Sequence, residues 1–548
     1  MKKCKKLCFI GIGLLPLMLA SCGTNNAKND SQEKSGKNVK QVATLTAGTP
    51  VQSLDPATAV DQTSITLLAN VMEGLYRLDE KNQPQPALAE AQPKVSNDGK
   101  TYTIVIRDGA KWSDGTPITA EDFVVAWQRV VDPETTSPNV ELFSTIKNAK
   151  EIISGKQPKE KLGVKSNGEQ TLIIELEEPT PYFTDLLALT AYFPVQQKAI
   201  KENGKNYGTS QRSIKTNGAY DLANLDRVGT SDKWTIEKNE KYWDKKHVSM
   251  KKINFQVVKE INTGINLYND GQLDDVPLAG EYAKQYKKDK EYSTTLMANT
   301  MFLEMNQTGE NKLLKNKNVR KAISYAIDRV SLVEKLLDNG SIPSVGVVPE
   351  KMAYNPKTKK DFANEKLVEF NKKQASTYWE TAKSNDKVSE KLELDILVGD
   401  GEFEKKAGEF LQGQLEENLE GLKVNITPVP ANVFMERLTK KDFAISLSGW
   451  QADYADPISF LANFETNSPL NHGGYSNKNY DELIKDTSSK RWQELKKAEK
   501  LVIDDAGVVP VFQVGIARLQ KNTISNLMIH PVGARYDLSL IHISEPTR

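Results

Sequence analysis

Cysteine is nearly absent from this chain: Cys4, Cys8 and Cys22 are the only three in 548 residues, all near the start. The body of the protein has no thiol pair to bridge, which excludes a disulfide-built scaffold and cysteine-based zinc sites. Histidine is as scarce. His247, His472, His530 and His542 stand singly in polar contexts, a pattern of surface histidines and not of a metal set. Gly99-Lys100-Thr101 ends like a phosphate loop, but Lys94 stands where that motif needs glycine. Neither a G-x-S-x-G elbow nor an H-E-x-x-H zinc motif occurs. Asp453 and Asp456 lack the alternating oxygen ligands of a calcium loop. No cofactor and no metal are expected. A surplus of charge is also missing. The formal +1 falls to about −3 once Lys2, Lys3, Lys5 and Lys6 are set aside, which argues against a nucleic-acid partner.

Those four lysines open the clearest local signal. MKKCKK is a positive leader, and residues 7–20 form an apolar stretch shorter than the ~20 residues a membrane span needs. It ends in Leu19-Ala20-Ser21-Cys22, similar to a lipobox with cleavage before Cys22. Residues 1–21 are expected to be a signal peptide, with Cys22 carrying the lipid that holds the protein on the outer membrane face. More than one acyl chain anchors stably, at about 0.8 kcal/mol per buried methylene. Residues 22–40, polar and without hydrophobic period, read as a flexible tether.

The remainder is too long for one core, and 38% hydrophobic residues can build several. Its elements alternate as in an α/β protein. A first strand is expected over 42–46, and a helix over 65–76 with its stripe at Ile65, Leu68, Val71 and Leu75. A hairpin follows around Asn97-Asp98-Gly99, with Tyr102, Ile104 and Ile106 alternating. Thr119 and Asp122 have capping-box spacing at a helix start. A helix over 318–339 has Val319, Ala322, Ile323, Ala326, Ile327, Val330 and Val333 on one face, with Asn318 at its start. Residues 302–306 form a strand in which Glu304 interrupts an apolar run.

The chain turns on 443–464, FAISLSGWQADYADPISFLANF. Residues 444–447 read as a short buried strand, Gly449 to Tyr454 as a tight loop, and Asp456-Pro457 as a helix start. The cap accounts for Asp456 but leaves Asp453 unexplained. An acid three residues after an indole suits a cationic group resting beside an aromatic wall. On spacing alone, Trp450 in the core and Asp453 closing a turn is at least as good a reading.

GWQADYADPISFL is similar to the GWxADYxxPxxFL signature of oligopeptide-binding proteins, solute-binding family 5, that serve ATP-driven importers. SLDPATAVDQTS…VMEGLYRLD, DGAKWSDGTPITAEDFVVAWQRVVDP and VRKAISYAIDR resemble further blocks of that family, and the likeness runs along nearly the whole chain. It implies a periplasmic-binding-protein-like α/β fold (type II, large cluster C) of two lobes with an extra subdomain, closing by hinge motion. Lobe I would take 41–80, 176–300 and 500–538, the extra subdomain 81–175 and lobe II 301–499. Trp112 and Trp127 fall in a block whose role in the family is structural, which makes them core.

The resemblance also implies a site. Asp453 holds a peptide's α-ammonium and Trp450 lines the groove. Backbone near Gly449, Gln451 and Ala452 on one side, and Val60, Asp61 and Gln62 on the other, pairs with an extended peptide. Phe302 and Glu304 are candidate pocket residues, although Glu304 could equally face solvent and the Val60 loop could be an ordinary one. Where enteric receptors carry an arginine three residues before the tryptophan, this chain has Leu447, which suits an apolar ligand and leaves the peptide's carboxylate without its family partner.

The chain looks like the pheromone-binding lipoproteins encoded on conjugative plasmids of Gram-positive bacteria. A monomeric, non-enzymatic receptor of short hydrophobic peptides, delivering them to an oligopeptide permease, is expected. The alternatives are a same-fold receptor for nickel, haem or glutathione, and a surface peptidase, for which no nucleophile–base pair is visible. Residues 539–548, SLIHISEPTR, match nothing in the family and resemble a translated sequencing adapter, so a non-native tail is expected there.

Overall fold

In the computed structural model the described residues are 41–309, 312–385 and 392–544. The expected signal peptide, the expected lipidation site Cys22 and the expected tether lie outside them, as do the last four residues of the suspected tail. Among the described residues no helix is long and apolar enough to cross a membrane.

The first sheet begins with Val42–Ala47, whose alternate residues Ala43 and Leu45 are fully buried. It pairs in parallel with Lys252–Val257, and antiparallel strands Lys233–Lys238 and Tyr220–Ala223 complete the four. A second four-stranded sheet is wholly antiparallel: Lys94–Val95, Thr101–Val105, Thr171–Glu175 and Val164–Asn167. The Asn97-Asp98-Gly99 turn opens it as expected, Gly99 taking the left-handed conformation (φ 71°) that glycine adopts without steric cost. Against it packs the helix Ala120–Val131, closed at its start by Thr119 and Asp122, with Trp112 and Trp127 fully buried. Trp112 Nε1 donates to Asp122 (3.2 Å) and Trp127 Nε1 to the Tyr192 carbonyl (2.9 Å), so both indoles belong to the core.

The largest sheet joins two cores. Its order is Asp275–Leu278, Val509–Gln520, Tyr292–Met305, Ile445–Gln451, Leu392–Gly399 and Leu422–Val429. The last two strands and Ile445–Gln451 pair in parallel, connected by the helices Glu402–Asn418 and Ala431–Thr439, as crossover units must be. The two long strands carry the argument for two lobes. Ala517 and Leu519 are buried with Ile265 and Val276 at one end, whereas Leu303, Met305, Val509 and Val511 are buried in a separate cluster at the other. Between those ends the register slips, at Leu296/Thr300 and again at Met301/Phe302. A ladder broken there bends more easily than a continuous one.

Two helices differ from expectation. The first runs Gln62–Val71, starting three residues early because Asp61 accepts from Ser64 N (2.9 Å) as its N-cap. It ends at Val71, and Tyr76–Leu78 is already a strand. The long helix expected over 318–339 is broken into Lys317–Ala326, Arg329–Ser331 and a π-helical turn Leu332–Leu337. Asn316, not Asn318, caps the first piece, accepting from Asn318 N (2.8 Å). The break has a physical cause: Asp328 caps the second piece through Ser331 N and Oγ, and buried Arg329 donates to the carbonyls of Ser324, Ile327 and Pro510. Periodicity continued across a break that distant partners hold, the Pro510 carbonyl and Gln414 Oε1 among them.

Residues 539–544, the described part of the suspected tail, lie against a first apolar cluster, which holds Ala43 and Leu45. Ile541 is buried, and His542–Ile543 pairs with Ile524–Ser525.

The turn at Asn217-Gly218 meets the end of the helix Gln62–Val71 with no room to spare. A Cβ at Gly218 would lie 2.7 Å from Met72 N and 2.8 Å from the Asn70 carbonyl, both rigid backbone. Gly218→Ala is therefore expected to lower the melting temperature, at an overpacking cost of about 1–3 kcal/mol, in a thermal scan against wild type.

Candidate functional site

Strand pairing positions the central side chain. Ile445–Gln451 pairs residue for residue with the long neighbouring strand, Leu447 against Leu303, Trp450 against Thr300 and Gln451 against Asn299. Gly449 to Gln451 are thus strand, not the loop read from the sequence. The reason is their partner: Gly449 lies so close to the Met301 sulfur that a side chain there would collide with it. Only Ala452 to Pro457 form the loop, and the helix begins at Ile458, one residue later than expected.

Two aspartates three residues apart now separate clearly. Asp456 accepts from Ile458 N (2.9 Å) and takes both terminal nitrogens of Arg491, at 2.6 and 2.9 Å. Its charge is spent. The Asp453 carboxylate has no hydrogen bond and no ion pair to any described residue; only its backbone N–H is engaged, by Ser459 Oγ at 3.3 Å. Its carboxyl is open to solvent yet ringed by protein at the wall of a groove, and that partial desolvation raises its pKa above 3.8.

The groove measures about 620 Å³. Gln451, Ala452 and Asp453 line one side, and Val60 and Gln62 the other. Asp61, between them, turns its side chain to the helix cap. Gln62 Nε2 donates to Thr66 Oγ1 (3.2 Å) and the Gly533 carbonyl (3.1 Å), which fixes the edge of that wall.

Trp450, Phe302 and Glu304 are not among the lining side chains. All three share one face of the sheet. Trp450 and Phe302 pack with Phe464 in a third apolar cluster, and the indole N–H finds no partner there. Glu304 is buried, not solvent-facing, with His472 Nδ1 3.3 Å from its carboxylate. Leu447 is buried in the second lobe's core.

The histidines need correcting too. His530 is buried in the groove wall and His472 is half-buried, whereas surface positions were expected for all four. Burial lowers the pKa of His530. Both sit in turns after short elements, where the polar sequence context gave no sign of what would cover them. Among the described residues no three histidine, cysteine or acidic side chains cluster as metal ligands.

Other groove residues escaped the sequence reading altogether. Glu73 is buried in the wall, its carboxylate accepting from Tyr242 Oη (2.5 Å) and Trp243 Nε1 (2.7 Å), and desolvation raises its pKa. Arg77 and Asp537 stand near it. An acid directly after an apolar helix, Glu73 in VMEGL, was the one available signal. Nothing local marks 530–537.

The two sides of the molecule touch beside Asp453. Tyr182 stacks on Tyr454 with centroids 5.2 Å apart and planes 8° from parallel, and both rings pack against the first and third clusters. Arg491 lies over Tyr182 at 5.6 Å. Burial, with Asp456 nearby, pushes the neighbouring Asp185 carboxyl up to about 8.

An α/β scaffold crossed by a pair of long strands and opening on a groove with an unspent carboxylate at Asp453 is the architecture of a solute-binding protein. The chain belongs to the bacterial extracellular solute-binding proteins, family 5, whose middle region it matches over residues 83–472. It is 34% identical to a dipeptide-binding protein of Lactococcus lactis subsp. cremoris, over 97% of this chain and 98% of that protein. Among solved structures it resembles the pheromone receptor PrgZ, at 79% identity and a TM-score of 0.78, covering 92% of this chain and all of that one. Listeria monocytogenes OppA bound to peptide gives 38% and 0.75, over 93% of this chain and all of that one.

The state of Asp453 is directly measurable. In a carbon-detected NMR titration of the ligand-free protein its carboxyl should titrate above 3.8, and the signal should vanish in Asp453→Asn. A midpoint at or below 3.8 would contradict the desolvated, unpaired carboxylate described above.

Proposed function

We propose that the protein is a lipid-anchored extracellular receptor that captures short hydrophobic peptides and delivers them to an oligopeptide importer. The observation that carries this reading is the Asp453 carboxylate: unpartnered among the described residues and set in the wall of a groove that Val60, Gln62 and Gln451 also line. An extended peptide supplies what each part lacks. Its backbone pairs with the strand edge at 449–452 and the loop edge at 60–62, an affinity largely independent of sequence. Its α-ammonium then meets Asp453. The pheromone receptor at 79% identity and the peptide-bound Listeria protein support a peptide as ligand. The apolar lining of the groove, with Ile65, Leu78, Leu142, Leu189 and Phe193, supports a hydrophobic one. Cys22 and its lipobox support the anchor. The protein binds and releases; the reading includes no bond cleavage.

A hydrogen bond to a charged group contributes about 1.5–3 kcal/mol, which corresponds to roughly tenfold or more in affinity. Calorimetry with a short hydrophobic peptide should therefore show at least a tenfold loss in Asp453→Ala, and a similar loss for the N-acetylated peptide on wild type. If both changes are silent, the assignment fails.

The same contact sets a pH window. Asp453 has a raised pKa when free, and a bound ammonium favours the charged form, so binding releases a proton near that pKa. Affinity should be full above it and fall as pH drops through it, because the protonated carboxyl no longer attracts the ammonium. On the alkaline side it should fall as the peptide's own amine deprotonates, near pH ~8. Affinity measured from pH 3 to 9 should show this plateau, and Asp453→Asn should abolish the acid limb alone.

A further inference from the structure

Behind the helix Gln62–Val71 lies a second cavity, of about 130 Å³, too small for a drug-sized molecule. Two arginines and an indole line it: Arg518, Arg535 and Trp234. Their charges and hydrogen bonds do not balance. Arg518 is buried, and one terminal nitrogen donates to Asp275 Oδ2 and Tyr536 Oη, each at 2.6 Å. Arg535 has no ion pair and no side-chain hydrogen bond to any described residue. Its backbone alone is used: the N–H donates to Thr66 Oγ1 (3.1 Å) and the carbonyl accepts from His530 N (2.9 Å). Asp275 offers at most one negative charge against two guanidiniums, so the cavity wall is net positive.

Donors are in surplus as well. The Nε–H groups of Arg518 and Arg535 and the Trp234 Nε1–H are buried without an acceptor among the described residues, against one idle acceptor, Asp275 Oδ1. Buried polar groups in native proteins are seldom left in such numbers in one place. The facing wall is apolar, made by Leu67, Phe255, Met297 and Ile516. Water could accept some of these hydrogen bonds but would leave the charge uncompensated. A carboxylate answers both deficits, and the apolar wall asks for a short hydrocarbon tail.

We propose that this cavity binds a carboxylate with a small apolar tail, its charge met by Arg535 and Arg518. Two sources share that chemistry. Gln62 and Tyr536 line both this cavity and the groove, so the carboxylate could belong to the last residue of a peptide lying in the groove, a source that rests on the proposed function. It could equally be a free short-chain acid.

The test uses isovalerate on the full ligand-free chain, followed by calorimetry and tryptophan fluorescence. Isovalerate should bind saturably and its uncharged isostere isovaleramide should not, a comparison that needs no variant. Arg535→Gln should weaken isovalerate at least tenfold, with a thermal scan showing the fold intact. A hydrophobic peptide with free termini then separates the sources. If it blocks isovalerate, and its C-terminal amide binds at least tenfold more weakly in a manner lost in Arg535→Gln, the peptide's end occupies the cavity. If isovalerate still binds to the peptide-saturated protein, the ligand is a free acid. Equal behaviour of isovalerate and isovaleramide, or binding undiminished in a folded Arg535→Gln, overturns the proposal. Because peptide affinity for wild type is measured in the same series, that failure is distinct from failure of the receptor reading.

Discussion

A carboxylate held against protein without a partner costs free energy that a folded chain normally avoids. Asp453 remains in that position because the backbone on both sides of it is committed elsewhere. Upstream, Ile445–Gln451 is locked by seven paired positions into a long strand that joins two cores. Downstream, Asp456 fixes the chain through Arg491 and the start of the helix Ile458–Leu461. Between these anchors lie only a few residues, which keep the exposed carboxyl at the groove wall. The unsatisfied charge is a consequence of geometry imposed from outside the loop, and that geometry is what keeps it available to a ligand.

The contrast between Asp453 and Asp456 shows what the sequence could and could not disclose. The spacing already marked Asp456 as a helix-start residue, and the local signal was nearly right. It could not show Arg491, thirty-five positions away, which consumes the charge of Asp456 and leaves Asp453 as the single free acid of the pair. The likeness to a receptor family pointed to Asp453, and the structure supplies the physical difference between the two. Trp450 is the reverse case. Alternation along a strand sets the direction of its side chain, and reading 449–451 as loop hid that its ring shares a face with Phe302 and Glu304.

Elements with strong internal signals were legible: the first strand, the Asn97-Asp98-Gly99 hairpin and the capped helix at Thr119. Misread boundaries cluster where a distant chain segment decides. The helix after Lys317 stops at Ala326 because Arg329 finds the Pro510 carbonyl, and the helix at Gln62 stops at Val71 because Gly218 closes on its end. His530, Arg77 and Asp537 reach the groove only through such long-range packing, so periodicity and motif spacing carried no trace of them.

The wall made by Gln62 ties these observations together. Its backbone edge faces the groove, and its side chain bonds Thr66 and Gly533, whose neighbours Arg535 and Tyr536 border the smaller cavity behind. Thr66 Oγ1 accepts from both Gln62 Nε2 and Arg535 N. The Arg535 backbone and the Gln62 side chain are therefore linked through two hydrogen bonds that meet at the Thr66 hydroxyl. The helix Gln62–Val71 is capped and buried, so it transmits a shift as a rigid body instead of absorbing it. Whatever fills the rear cavity and whatever fills the groove thus act on one short element, and neither wall is set independently of the other.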